Sequence, residues 1–513
     1  MTRLALCVVL MAAQASGADR PDEDAMFGGG EPASQPASMP ASQASAAAVV
    51  PKSRDTAALE EPPTADGFLS GRIKDDALRI GGKLYMRGFT SFSTEQKIDY
   101  SRFSVPMLVD LYLDARPIDR LRAQVLGRLQ YDPFLGTGLG ISLPGASTST
   151  PPANPAVALD QAWLAFDIAH AVFITAGRQH VKWGTARFFN PTDFLSAQFR
   201  DPLAQFDTRL GVTMLKMSVP WEAQGWNFTA VALFEPTQQP AVGLGTGSSN
   251  TNPLAATSAA TVPPTTRLTD IGGAARIEVA FKGTQIGIDG LVQRNRKARG
   301  GLDITTAIGP LDFWAEGAIK AGSDVPVYRK IAQVNPRSAV SLAAGYEAYA
   351  PAIVGQVAGG LSYDIALPES KTLSFMGEYF FNSIGYSNPE VYPVLAFNGA
   401  FQPFYNGVHY GALSAVFNDS NKKVTAILSN IGNFSDLSFI TRIDCLVTIL
   451  NHLQLEAFVG FHYGRRGGEF RFAMDIDAED VVNPFTGELI FSVPQINVVA
   501  PLIDIGIGLR VAL

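Results

Sequence analysis

Charge is scarce in this chain. Only 17% of its 513 residues are Asp, Glu, Lys or Arg, against about a quarter in an average soluble protein. Long apolar runs do not make up the difference. Outside the N-terminus no stretch approaches the roughly 20 apolar residues that a spanning helix needs, which excludes a helical membrane bundle, and the mean hydropathy of +0.11 is too low for one. Cysteine is nearly absent, with Cys7 and Cys445 the two in the chain. Cys7 falls in an apolar leader, so no intrachain disulfide is expected after processing. Histidine is equally sparse at five. His170 and His452 fall in predicted turns and His180, His409 and His462 on predicted strands, none in a nucleophile–base pattern. No metal-ligand spacing and no phosphate-cradling glycine loop occurs. The reading is therefore of a non-enzyme without metal or cofactor, and a net charge of −7 gives no reason to expect nucleic acid as a partner.

What the chain does have is a period of two. From Leu502 to Leu513, Ile503, Ile505, Ile507, Leu509 and Val511 alternate with Asp504, Gly506, Gly508, Arg510 and Ala512. Strands have this period because successive side chains point to opposite faces. The same alternation sets Leu121, Ala123, Val125 and Leu129 against Arg122, Gln124 and Arg128, and Ile271, Gly273, Ala275, Ile277 and Val279 against Arg276 and Glu278. Leu311, Phe313, Ala315 and Ile319 oppose Asp312, Glu316 and Lys320 in the same way. An all-β fold follows, either a soluble sandwich or a transmembrane barrel. The connections favour the barrel: tight turns near 115–119, 169–171, 281–284, 309–310, 368–371, 419–422 and 450–452 alternate with mostly long loops near 134–156, 183–207, 236–268, 321–353, 383–405 and 464–499. Turns on one side and loops on the other are what a barrel shows. The expectation is an antiparallel barrel of about 18 strands over residues 68–513, with 338–350 assigned to a loop and both termini on the turn side.

Ahead of it, Arg3, the apolar stretch Leu4–Ala13 and a small-residue site near Ala18 read as a secretory signal over residues 1–18. Residues 19–67 are rich in Pro, Ala and Ser, with three near-copies of one tetrapeptide at 32–35, 36–39 and 40–43. Such composition buries too little to offset its chain entropy, so the segment reads as a disordered periplasmic tether. A bland linker and a docking arm for a partner both fit it.

The most informative internal stretch runs from Lys182 to Arg209, the third loop on the long side. Asn190-Pro191 and Asp201-Pro202 each read as a helix start, and Phe188, Phe189, Phe194, Phe199 and Phe206 are too many for a loop surrounded by water. A loop folded into the lumen would set Arg187, Asp193, Arg200, Asp201, Asp207 and Arg209 at the narrowest point; a packed cap outside the barrel is the alternative. Lumen-lining candidates are Arg122, Arg128, Arg276, Glu278, Asp312, Glu316, Asp504 and Arg510. Acidic residues exceed basic ones on that face, which predicts a mildly cation-tolerant lumen.

The pattern Gly177-Arg178-Gln179, Trp183-Gly184, Asn190-Pro191-Thr192-Asp193, Arg200-Asp201-Pro202-Leu203 and Asp207-x-Arg209 resembles that of porin-like outer-membrane barrels of Gram-negative bacteria. The likeness is specific over about 35 residues and architectural elsewhere. The alternating last strand is similar to the signal by which such barrels are recognised for insertion, though it ends in Leu513 where an aromatic is commoner. The resemblance implies an outer-membrane channel among outer-membrane lipid, delivered to the barrel-assembly machinery through its C-terminal strand. Related eighteen-stranded proteins are proposed to take part in polysaccharide export. A hydrophilic-solute or polymer channel, exopolysaccharide export included, is one expectation. The other is an anchor for a trans-envelope motility or secretion machine, with a periplasmic partner in either case.

Overall fold

A computed structural model describes residues 78–93, 103–118, 120–134, 154–196, 199–204, 209–234, 268–294, 296–419, 423–450, 452–482 and 489–512. The signal and tether readings, and Asp207, lie outside them.

Eighteen antiparallel strands close on themselves: β1 (Leu78–Phe92), β2 (Met107–Ile118), β3 (Leu121–Tyr131), β4 (Ala156–Ile168), β5 (Val172–Gln179), β6 (Val212–Trp221), β7 (Trp226–Leu233), β8 (Gly272–Phe281), β9 (Thr284–Gln293), β10 (Arg296–Ile308), β11 (Leu311–Lys320), β12 (Val354–Leu367), β13 (Lys371–Asn382), β14 (His409–Asn418), β15 (Val424–Asn433), β16 (Ser438–Leu450), β17 (Leu453–Gly464) and β18 (Ile503–Ala512). Each pairs with its neighbours in sequence. The circle is completed by β18 against β1, from Lys83 opposite Ala512 to Phe92 opposite Ile503. Closure leaves the barrel without a free edge. No helix among the described residues is long and apolar enough to cross a membrane, which says nothing of strands.

The alternation read from sequence sorts the two faces. On β14, Leu413 points outward and is 63% exposed, while Ala412 and Ser414 on either side point inward and are buried. Ile507 on β18 is 66% exposed between the buried Gly506 and Gly508. The outer surface is thus aliphatic at mid-height, with aromatic groups at both ends: Trp221 beside Trp226 and Phe281 at the short-turn end, Phe434, Phe439, Tyr463 and Tyr379 at the other.

Short turns join the strands at one end, including one between Trp221 and Trp226 that the sequence reading missed. At the other end three long connections fold together into a cap. The segment 338–350, assigned to a loop, carries α1 (Ala339–Gly345) and then Tyr346–Tyr349, which pairs with Val327–Lys330 outside the barrel. Leu342 of α1 packs with Tyr392 and Leu395 of α2 (Tyr392–Phe397) and with Phe401, Phe472 and Ile476 in one apolar cluster. Beneath it Glu469 and Asp436 are fully buried side by side: Tyr410 and Asn433 donate to Glu469, Tyr392 donates to Asp436, and the Glu469 amide donates to Asp436 at 2.7 Å.

At the closing seam, side chains reach across β18. Tyr85 donates to Glu456 at 3.0 Å and Arg87 pairs with the same carboxylate at 3.2 Å, although β17 lies one strand beyond β18. The way is clear because β18 presents Gly506 and Gly508 there, where a side chain at 506 would collide with Phe458. Arg87 and Arg442 both lie over the Phe458 ring, at 4.0 and 4.3 Å from its centroid.

Candidate functional site

The connection from β5 to β6 enters the barrel. Two carboxylates on the far wall receive it: Glu316 of β11 and Glu378 of β13, both on the inward-pointing register and almost fully buried. Glu316 accepts from the amides of Thr185, Ala186 and Thr192 at 2.7, 2.9 and 3.3 Å. Glu378 accepts from Arg187, Phe188 and Phe189 at 2.8, 3.2 and 2.7 Å, and from the Trp314 indole at 2.8 Å. Five successive backbone N–H groups, 185 to 189, are thereby spent on two carboxylates. Such charge-assisted bonds are the strong kind, and they satisfy donors that would otherwise be buried and unpaired.

The two expected helices are a correction that follows from this. Asn190-Pro191 and Asp201-Pro202 each begin a single turn, Asp193 N–H to Asn190 C=O at 3.3 Å and Ala204 N–H to Asp201 C=O at 3.2 Å, with no helix among the described residues of the loop. The local capping chemistry is intact, since Asp201 accepts from the Leu203 amide at 2.9 Å. Around the first turn, however, the amides serve the wall.

Apolar packing completes the attachment. Phe188 and Phe189 are fully buried, and Phe189 stacks on Phe380 with ring centroids 4.7 Å apart. With Leu203 they join inward residues Ala358, Met376, Ala412, Val416, Ile431 and Ile440 in one cluster. Trp183, Phe194 and Leu195 pack on Met214, Val231, Leu233, Ala274 and Leu291 of β6–β9. Phe199, by contrast, stays 44% exposed against Tyr405, whose phenol burial pushes well above its usual range. Gly184 adopts φ of +86°, and a Cβ there would strike Thr192, Asn190 and Glu316, so the loop's first bend requires glycine.

Of the charges expected at the narrowest point, Asp193 and Arg209 form an ion pair at 2.8 Å. The Arg187 guanidinium lies 4.2 Å from the Trp314 ring centroid, and Arg200 donates to the Arg187 carbonyl at 3.4 Å. Asp201 serves the turn just described. Arg122, Arg128, Arg276, Glu316 and Asp504 lie buried on the inward register; Glu278, Asp312 and Arg510 share that register and are partly exposed. They are paired on the wall: Arg122 with Asp114 at 2.8 Å, Arg128 with Asp110 and Asp160 at 2.8 and 3.0 Å, Arg276 with Asp289 and Asp303 at 2.6 Å each. The sequence reading missed inward Arg87 and Arg299, and equally the buried Asp160 and Asp303, so these four leave the acidic excess as it was. His180 lies one residue beyond β5, not on it, and contacts Asp160.

No known protein-family model matches the chain, and no characterised relative does. Among solved structures it is similar to OprB of Pseudomonas putida (8% identity over 85% of this chain and 94% of that one, TM-score 0.42). Acinetobacter baumannii OccAB1 gives 10% identity, 85% and 97% coverage and a TM-score of 0.45. Escherichia coli Wzi, described as a carbohydrate-binding β-barrel involved in group 1 capsule assembly, gives 8%, 84% of each chain and 0.42. Overlap this partial transfers no residue, substrate or partner to this chain.

Proposed function

We propose that this chain is an outer-membrane channel for a hydrophilic solute, narrowed by the β5–β6 loop to a route along the β1–β4 wall. The observation that carries the reading is the attachment of that loop to Glu316 and Glu378 across the lumen. A loop held in this way packs on the inner face of β6–β9 and β11–β16, while a circle of this many strands leaves room for an aqueous path beside it. The aliphatic outer face with aromatic ends favours a hydrocarbon setting. Passage requires no catalytic group, and we assign the chain no enzymatic role. Export of a polymer fits the same route.

Deletion of residues 186–206 is expected to raise single-channel conductance in planar bilayers, and unchanged conductance from a folded, deleted barrel would refute the constriction. The lipid setting has its own test. Leu413→Arg, at mid-strand on the outer face, is expected to destabilise the barrel in phospholipid vesicles by about 2–4 kcal/mol. A change near zero in denaturant unfolding would place that surface in water.

A further inference from the structure

We propose that the inner wall of β2–β4 is a saccharide-binding surface with Trp163 and Tyr112 as its stacking platforms. The proposal rests on the channel reading and names its solute class. Tyr112, Gln124, Leu126, Gln161 and Trp163 share the inward register and remain partly exposed, and they bring two aromatic rings and two side-chain amides together on one stretch of wall. They are contiguous: Tyr112 pairs with Leu126, Leu126 with Gln161, and Gln124 lies between Asp114 and Trp163 in one hydrogen-bonded row.

The Trp163 ring is fixed without a ligand. Its indole N–H donates to Gln161 at 3.0 Å, and the Arg122 guanidinium sits 5.5 Å from the ring centroid. Arg122 is held in turn by both oxygens of Asp114, at 2.8 and 3.2 Å. Tyr112 lies against Gly81, where any side chain would run into the phenol. Two strand spacings and two residues of rise set these platforms roughly 12 Å apart, so a single chain molecule of several sugar units could occupy both. A platform ordered before binding loses little entropy when occupied.

The chemistry of the patch suits a sugar. Ring faces accept the C–H face of a pyranose, and the side-chain amides of Gln124 and Gln161, each with donors and an acceptor, match its hydroxyls. Within the patch Asp114 and Arg122 neutralise each other. An apolar solute would leave the Gln124 amide and the amide hydrogens of Gln161 without partners, which is unfavourable.

The test uses the full-length protein in detergent and in planar bilayers, with maltohexaose and cellohexaose as α- and β-linked probes. At least one should bind in calorimetric titration and interrupt the current in a concentration-dependent way. Trp163→Ala should weaken that binding about tenfold or more, the loss expected on truncating an aromatic anchor, and Trp163→Phe, which keeps the ring face, should lose less. Heat-modifiable gel migration certifies that each variant is folded. A conducting channel that neither sugar binds or blocks overturns the proposal and leaves the channel standing; equal binding by Trp163→Ala also overturns it. Binding by a folded barrel that never conducts would uphold the wall and sink the channel reading.

Discussion

Replacing both Glu316 and Glu378 by alanine is expected to raise single-channel conductance several-fold while the barrel still migrates as a folded, heat-modifiable species. The expectation follows from what the substitution leaves behind. Six amides of the β5–β6 loop lose their acceptors at once, and each bond to a charged group contributes about 1.5–3 kcal/mol. The loop cannot remain dry in place, because buried N–H groups without partners are strongly unfavourable. Water must enter beside it or the loop must leave, and either widens the path. A single Glu378→Gln should fall between: one oxygen still accepts, while the new amide turns its own hydrogens toward donors. Wild-type conductance from a folded double variant would show that the apolar contacts of Phe188, Phe189 and Phe194 hold the loop without the carboxylates.

The second large effect concerns pH and the cap. Burial, reinforced by the neighbouring Asp436 carboxylate, pushes Glu469 up to about 8. In the assembled cap its protonated form is favoured, so this stabilisation is complete below the ordinary carboxyl value near 4.5. It falls as pH rises and is lost by about 8. Calorimetric unfolding of the cap should therefore move to lower temperature between pH 5 and pH 9. Glu469→Gln, which cannot ionise, should flatten the dependence. The groups facing Glu469 are Asp436, Tyr410, Asn433 and Asn406, with Tyr392 one bond farther. An equal pH slope in wild type and variant would assign the effect elsewhere.

Which features were legible in the sequence depended on the distance between partners. The strands were, since alternation is a property of each segment by itself, and so were most of the turns between them. Phenylalanine excess and position as the third long-side loop marked 182–209 as a packed element. The manner of its packing was invisible, because Glu316 and Glu378 stand more than a hundred residues away in the chain, and nothing in either strand distinguishes an anchor from any other inward acid. That remoteness also explains the misread helices: Asn190 and Asp201 are sound caps, but the amides near the first are claimed by distant carboxylates. Arg187 drew attention through its side chain, whereas its backbone N–H makes the bond to Glu378 and its guanidinium rests on Trp314.

The seam between β1 and β18 is where the first and last strands of the barrel meet. Here Tyr85 and Arg87 pass over Gly506 and Gly508 to Glu456 and Phe458 of the strand beyond. To peel β18 away, backbone hydrogen bonds to β1 and to β17 must break together with an overhead clasp that runs over its two glycines. Interactions broken before the opening transition state slow opening itself. The junction between first and last strands is thereby reinforced from outside the strand it secures, and lateral opening there requires the clasp to break as well.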